Sequence, residues 1–72
     1  MSELQKLADD LAQDVIAAME RMDDDKIYRE ISEVLEAGSS SAQEAFVAAL
    51  RFRIAIARGR AHLERRLAQL DE

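Results

Sequence analysis

The chain has no cysteine, no proline, no tryptophan, one histidine and only two glycines in 72 residues. Without cysteine there is neither a disulfide framework nor a thiolate metal site, and nothing points to an oxidising compartment. Without proline, and with glycine only at Gly38 and Gly59, few positions force the backbone out of a helix. Met1-Ser-Glu-Leu supplies no basic segment ahead of an apolar one, so no secretory signal is expected. The longest nearly uncharged run is about a dozen residues, short of the ~20 that span a bilayer. The expectation is a cytoplasmic protein with no membrane segment.

What is present is helical in character. Ala, Leu, Glu, Arg and Gln dominate, 49% of residues are apolar and 35% charged, and these residue types favour helix. The net charge of −5 is unevenly spread. Residues 1–38 carry eleven acids against four bases, a net of −7, and residues 39–72 carry six arginines against four acids, a net of +2. Opposite halves attract, within one chain or between two. A single domain this small gains only about 3–5 kcal/mol from its core, so association is an expected support.

Ser2 with Gln5 fits a capping box that starts a first helix near Glu3. Leu4, Leu7, Ala8, Leu11, Val15, Ala18, Met19 and Met22 then recur at helical spacing as one apolar arc. Ile27, Tyr28, Ile31, Val34 and Leu35 form a second stripe, which a continuous helix would place on the side opposite the first. A break at Met22–Asp25 is therefore predicted, with an Asp as N-cap of a second helix. Gly38 is the expected left-handed C-terminal residue. Ser41 with Glu44, or Ser40 with Gln43, offers the next capping box.

The third helix dominates the chain. With helices at about residues 3–22, 25–37 and 42–70, the sequence reads as one all-α domain over 1–72. Two shorter helices would pack antiparallel along one long C-terminal helix, hairpin-like and oligomeric. The stretch Phe46-Val-Ala-Ala-Leu-Arg-Phe-Arg-Ile-Ala-Ile-Ala57 is apolar on more than one side, so it needs more than one neighbour. One face holds Ala45, Ala49, Phe52, Ile56, Gly59, Leu63, Leu67 and Leu70 in a near-heptad seam. That face is expected to be deep, under the first two helices. A second, shallower face includes Val47, Leu50, Ile54, Ala57 and Ala61, with Arg53 and Arg60 in a strip between the faces alongside Phe46. These seven (Val47, Leu50, Arg53, Ile54, Ala57, Arg60, Ala61) are the expected partner-binding residues, since arginine stems cover apolar surface while their guanidiniums reach carboxylates.

No residue pattern carries catalysis. His62 falls on the polar side of the third helix without a nucleophile or orienting acid nearby in the pattern. Asp23-Asp24-Asp25 lacks the alternating ligands, central glycine and terminal glutamate of a calcium loop. Asp10 and Asp14 lack the Glu-x-x-His motifs of a carboxylate-bridged metal pair. No metal, cofactor or small-molecule substrate is expected, and no enzyme. Arg51, Arg58, Arg65 and Arg66 raise nucleic-acid binding, which the acidic half of the chain disfavours.

Leu35-Glu-Ala-Gly38, a short polar turn, and an alanine-rich helix with Phe46, Ala49, Leu50, Ile54, Ile56, Ala57 and Leu63 resemble the small helical-hairpin co-chaperones of type III secretion needle subunits. The resemblance covers residues 31–63 and departs from the family in the arginine-rich third helix and the acidic N-terminal region. It implies a hairpin paired with a larger helical, tetratricopeptide-like chaperone, holding a needle subunit monomeric, with the second face of the third helix as partner surface. Self-association through the third helix, in a homodimer of structural or regulatory use, is the alternative.

Overall fold

A computed structural model of the chain describes residues 1–71. Three α-helices follow one another, α1 (Glu3–Met22), α2 (Lys26–Gly38) and α3 (Ser40–Leu70), with no strand among the described residues. Both shorter helices pack onto α3. The all-α, three-helix architecture read from the sequence is the one observed.

Local chemistry explains most boundaries. The Ser2 hydroxyl accepts from the Gln5 N–H and the Ser2 N–H donates to Gln5 Oε1, each at 3.1 Å, so the capping box forms. α1 stops because Asp23 turns left-handed, φ 49° and ψ 45°. The N–H groups of Asp23 and Asp24 both return to the Met19 carbonyl, which satisfies an end that would otherwise be orphaned. Asp24, rather than the N-cap residue Asp25, supplies a side-chain acceptor to the start of α2, taking the Lys26 N–H at 2.9 Å.

The α2–α3 turn differs from the expectation on two counts. Gly38 is the last helical residue and is not left-handed. The N-cap of α3 is Ser39, not Ser40 or Ser41, and its hydroxyl accepts from the Ala42 N–H at 3.1 Å. One extended residue, Ser39 at φ −164° and ψ 114°, does both jobs: its N–H closes α2 on the Leu35 carbonyl at 2.7 Å while its side chain opens α3. No left-handed glycine is then required. Gln43 Nε2 donates to the Ser32 hydroxyl at 3.0 Å, tying α2 to α3 as an antiparallel hairpin.

The core is small. Ala8, Ala12 and Val15 of α1 meet Phe46 and Leu50 of α3, and α2 adds the half-buried Ile27, Tyr28, Ile31 and Leu35. Phe46 and Ala12 are 0% exposed. The contact lines run at three- and four-residue spacing, and the two alanines let the α1 backbone come close enough for one ring to fill the gap.

The depths expected of the two α3 faces are reversed for their large side chains, while Ala45 and Ala49 of the first face stay half-buried against the core. Leu50 is core, and Val47 and Ile54 are half-buried against it. Phe52, Ile56, Leu63, Leu67 and Leu70, expected beneath α1 and α2, lie exposed, Phe52 at 68%. The reason is rotational. Phe46 and Phe52 stand about 120° apart around a helix, and seating Phe46 at the junction turns Phe52 outward. On α1, Leu4, Leu7 and Met22 are likewise exposed, because the line of contact runs through Ala8, Ala12 and Val15 instead.

α3 also outruns its neighbours, at 31 residues against 20 for α1 and 13 for α2. The radius of gyration is 14.9 Å, where a chain of this length folded to globular density would have about 11 Å. Accessible surface is 5881 Å², against about 4,500 Å² for a folded monomer of this mass.

Phe46→Ala should cost about 3–5 kcal/mol, as much as the whole stability of so small a core, and abolish a cooperative thermal transition followed by circular dichroism. Phe52→Ala in dilute solution should leave that transition in place. The reverse ranking would contradict the observed rotation of α3.

Candidate docking surface

Arg53 is the first side chain outside the core to fix how α1 sits on α3. Its Nε donates to Asp9 Oδ1 at 2.6 Å and its Nη2 to Asp9 Oδ2 at 2.7 Å. This two-pronged contact joins residues 44 apart in sequence, and such forks add direction as well as energy. Gln13 Nε2 also donates to Asp9 Oδ2, at 3.3 Å. The hydrogen bonds from Arg53 hold the Asp9 carboxyl below the usual carboxylate range, against some desolvation and with help from Gln13. The same bond raises Arg53 above the ordinary guanidinium value. Arg53, expected to meet a partner molecule, is thus engaged inside its own chain.

The other expected partner residues divide. Leu50 is buried in the core, and Val47 and Ile54 are half-buried against it. Ala57 and Arg60 are exposed and Ala61 is half-buried. Arg51, Arg58, His62, Arg65 and Arg66 stand in solvent.

A different surface takes their place. Beside α3 an open groove of about 830 Å³ runs between Met1, Gln5 and Asp9 at the start of α1 and Ala45, Ala48, Ala49, Phe52 and Ile56 of α3, with Ala57 and Arg60 at its far end. Its α3 side combines these small alanines with the larger Phe52 and Ile56, and Arg53 also lines it. A shallower depression of about 300 Å³ continues along Ala55, Ile56, Gly59, Arg60 and Leu63. Beyond Arg60 the seam goes on through the exposed Leu63, Leu67 and Leu70, where neither α1 nor α2 contributes to the depressions just described.

This stripe is Phe52, Ile56, Gly59, Leu63, Leu67 and Leu70, the seam visible in the sequence but assigned there to the interior. What the pattern could not supply was its depth. Gly59 sits within it in mid-helix, where glycine costs about 0.5–1 kcal/mol relative to alanine, and a Cβ there would meet nothing within 4 Å.

Among the described residues no helix is long and apolar enough to cross a membrane, and no group of three or more His, Asp or Glu side chains gathers in a way that could hold a metal ion. Comparison with protein-family models, curated proteins and solved structures found no match.

A carboxyl with a depressed folded value contributes stability above its unfolded value near 3.9 and loses it as pH falls through the folded value. Urea unfolding should therefore show stability falling in acid below about pH 4, and Asp9→Asn should lower stability at neutral pH while flattening that acid limb. An unchanged acid limb in Asp9→Asn would show that the Asp9–Arg53 contact does not contribute.

Proposed function

We propose that the chain is a non-enzymatic helical interaction protein that docks a partner helix along the exposed α3 seam from Phe52 to Leu70. The observation that carries this reading is the position of five large apolar side chains, Phe52, Ile56, Leu63, Leu67 and Leu70, on one face with more than half of each accessible to water. Contiguous exposed apolar surface of this kind marks interaction sites, and anchors at i, i+4 and i+7 suit a helix lying in a groove. The α3 segment past Arg60 is only about ten residues, and isolated helices shorter than ~12–15 residues are marginal in water. A neighbour along the seam would stabilise it.

The resemblance of residues 31–63 to needle-subunit co-chaperones makes the partner a larger helical chaperone and the setting the cytoplasm. In its support stands the α2–α3 hairpin closed at Ser39, which spans the matched stretch. On that reading the partner surface shifts from the Leu50–Ile54 face to the Phe52–Leu70 seam, with Arg60 at its edge. No residue is assigned a catalytic, metal-binding or cofactor-binding role.

Placing a photo-crosslinking amino acid at position 63 in cells that make the protein should give a discrete protein adduct, and the same group at position 51 should not. Position 51 is equally exposed but lies off the seam. Equal or absent labelling at the two positions would overturn the docking reading.

A further inference from the structure

We propose that the occupant of the seam is a second copy of this chain, crossing antiparallel so that the free end of each α3 lies in the groove of the other. The inference rests on the docking of the seam proposed above and takes a second copy, in place of a larger chaperone, as its occupant.

One chain carries both halves of a helix-in-groove pair. The groove lies beside Ala45, Ala49, Phe52 and Ile56, and the free end presents Leu63, Leu67 and Leu70 at four- and three-residue spacing. Both sit on one face of the same helix, on either side of Gly59. A two-fold axis perpendicular to α3 near that glycine therefore brings each free end onto the other groove, the self-complementary arrangement that closes a dimer. With α3 helices antiparallel, Leu63 of one copy falls opposite Phe52 of the other, Ile56 opposite Gly59 and Leu70 opposite Ala45. Large residues meet small ones at two of these three layers. Nothing within the chain fills the space beside Gly59, and a crossing helix would.

Charge selects the direction of crossing. The free end, residues 58–70, carries Arg58, Arg60, Arg65 and Arg66 against Glu64 alone. Of the ionic side chains lining the groove, Asp9 is already paired with Arg53 of its own chain and Arg60 stands at the far end. An antiparallel crossing sets the two arginine-rich free ends at opposite ends of the dimer, which fixes direction. A parallel pairing would instead set the arginine-rich ends side by side.

Area agrees. The accessible surface exceeds that of an ordinary folded monomer of this mass by about 1,400 Å², and a standard interface takes about 800 Å² from each partner. A second copy along the seam would remove about 800 Å² of that excess.

Sedimentation equilibrium at micromolar concentration should give twice the 8.1 kDa chain mass, and Leu63→Asp should return the monomer mass. Helical circular dichroism should persist in Leu63→Asp, because Leu63 has no part in the core. The native chain has no cysteine, so trapping reports direction: mixed Phe52→Cys and Leu63→Cys chains should form a disulfide between unlike chains far faster than either variant alone. Monomer mass throughout would overturn the proposal, and rapid Leu63→Cys homodisulfides would overturn its antiparallel form. If the wild-type chain stays monomeric while the position-63 crosslinker captures a different protein in cells, the docking reading stands and self-association falls.

Discussion

Phe46 is the one large side chain that the three helices enclose completely, and its burial fixes how α3 is turned about its own axis. Once the ring occupies the space over Ala8, Ala12 and Val15, Leu50 follows it inward one turn later and Arg53 comes within reach of Asp9. The ion pair adds a directional constraint that apolar packing lacks, because a guanidinium fork engages a carboxylate in few orientations. Everything on the far side of α3 is then committed to water. The exposure of Phe52 and Ile56 is a consequence of the interior and not a separate feature.

The second constraint is length. α1 and α2 bring their apolar stripes to the first half of α3, and the helix continues through Leu63, Leu67 and Leu70 past the point where they can cover it. The chain therefore has a covered segment, stabilised by a core of five buried residues, and a free segment held by helix propensity alone. Arginines are concentrated in the free segment. The proposed association rests on this division, since folding leaves that surface apolar.

Much of this was legible in the sequence where the determinants were local. The Ser2–Gln5 box, the break at Asp23 and the three-helix order each follow from neighbouring residues or from the phase of adjacent apolar stripes. Ser39 was missed because Ser39, Ser40 and Ser41 offer nearly equivalent caps, and only the closure of α2 on the Ser39 N–H distinguishes them. The assignment of the two α3 faces failed for a different reason. Two apolar stripes of comparable strength run along this helix, and periodicity locates both without ranking them. The ranking came from small residues on α1 and from the Asp9–Arg53 pair, contacts 44 residues apart that no local window contains. One clue lay in the pattern itself: Ala8 and Ala12 make a shallow strip that accepts one large ring from the opposing helix.

The central claim, that α3 has a covered segment and a free seam awaiting a partner, is tested most directly by residue-resolved amide hydrogen exchange along α3 at several protein concentrations. In dilute solution amides near Phe46–Arg53 should be protected to the level of global unfolding, and those from Ala61 to Leu70 should exchange much faster. Raising the concentration should slow exchange selectively from Ala61 to Leu70. Uniform protection along α3 at every concentration would contradict the account.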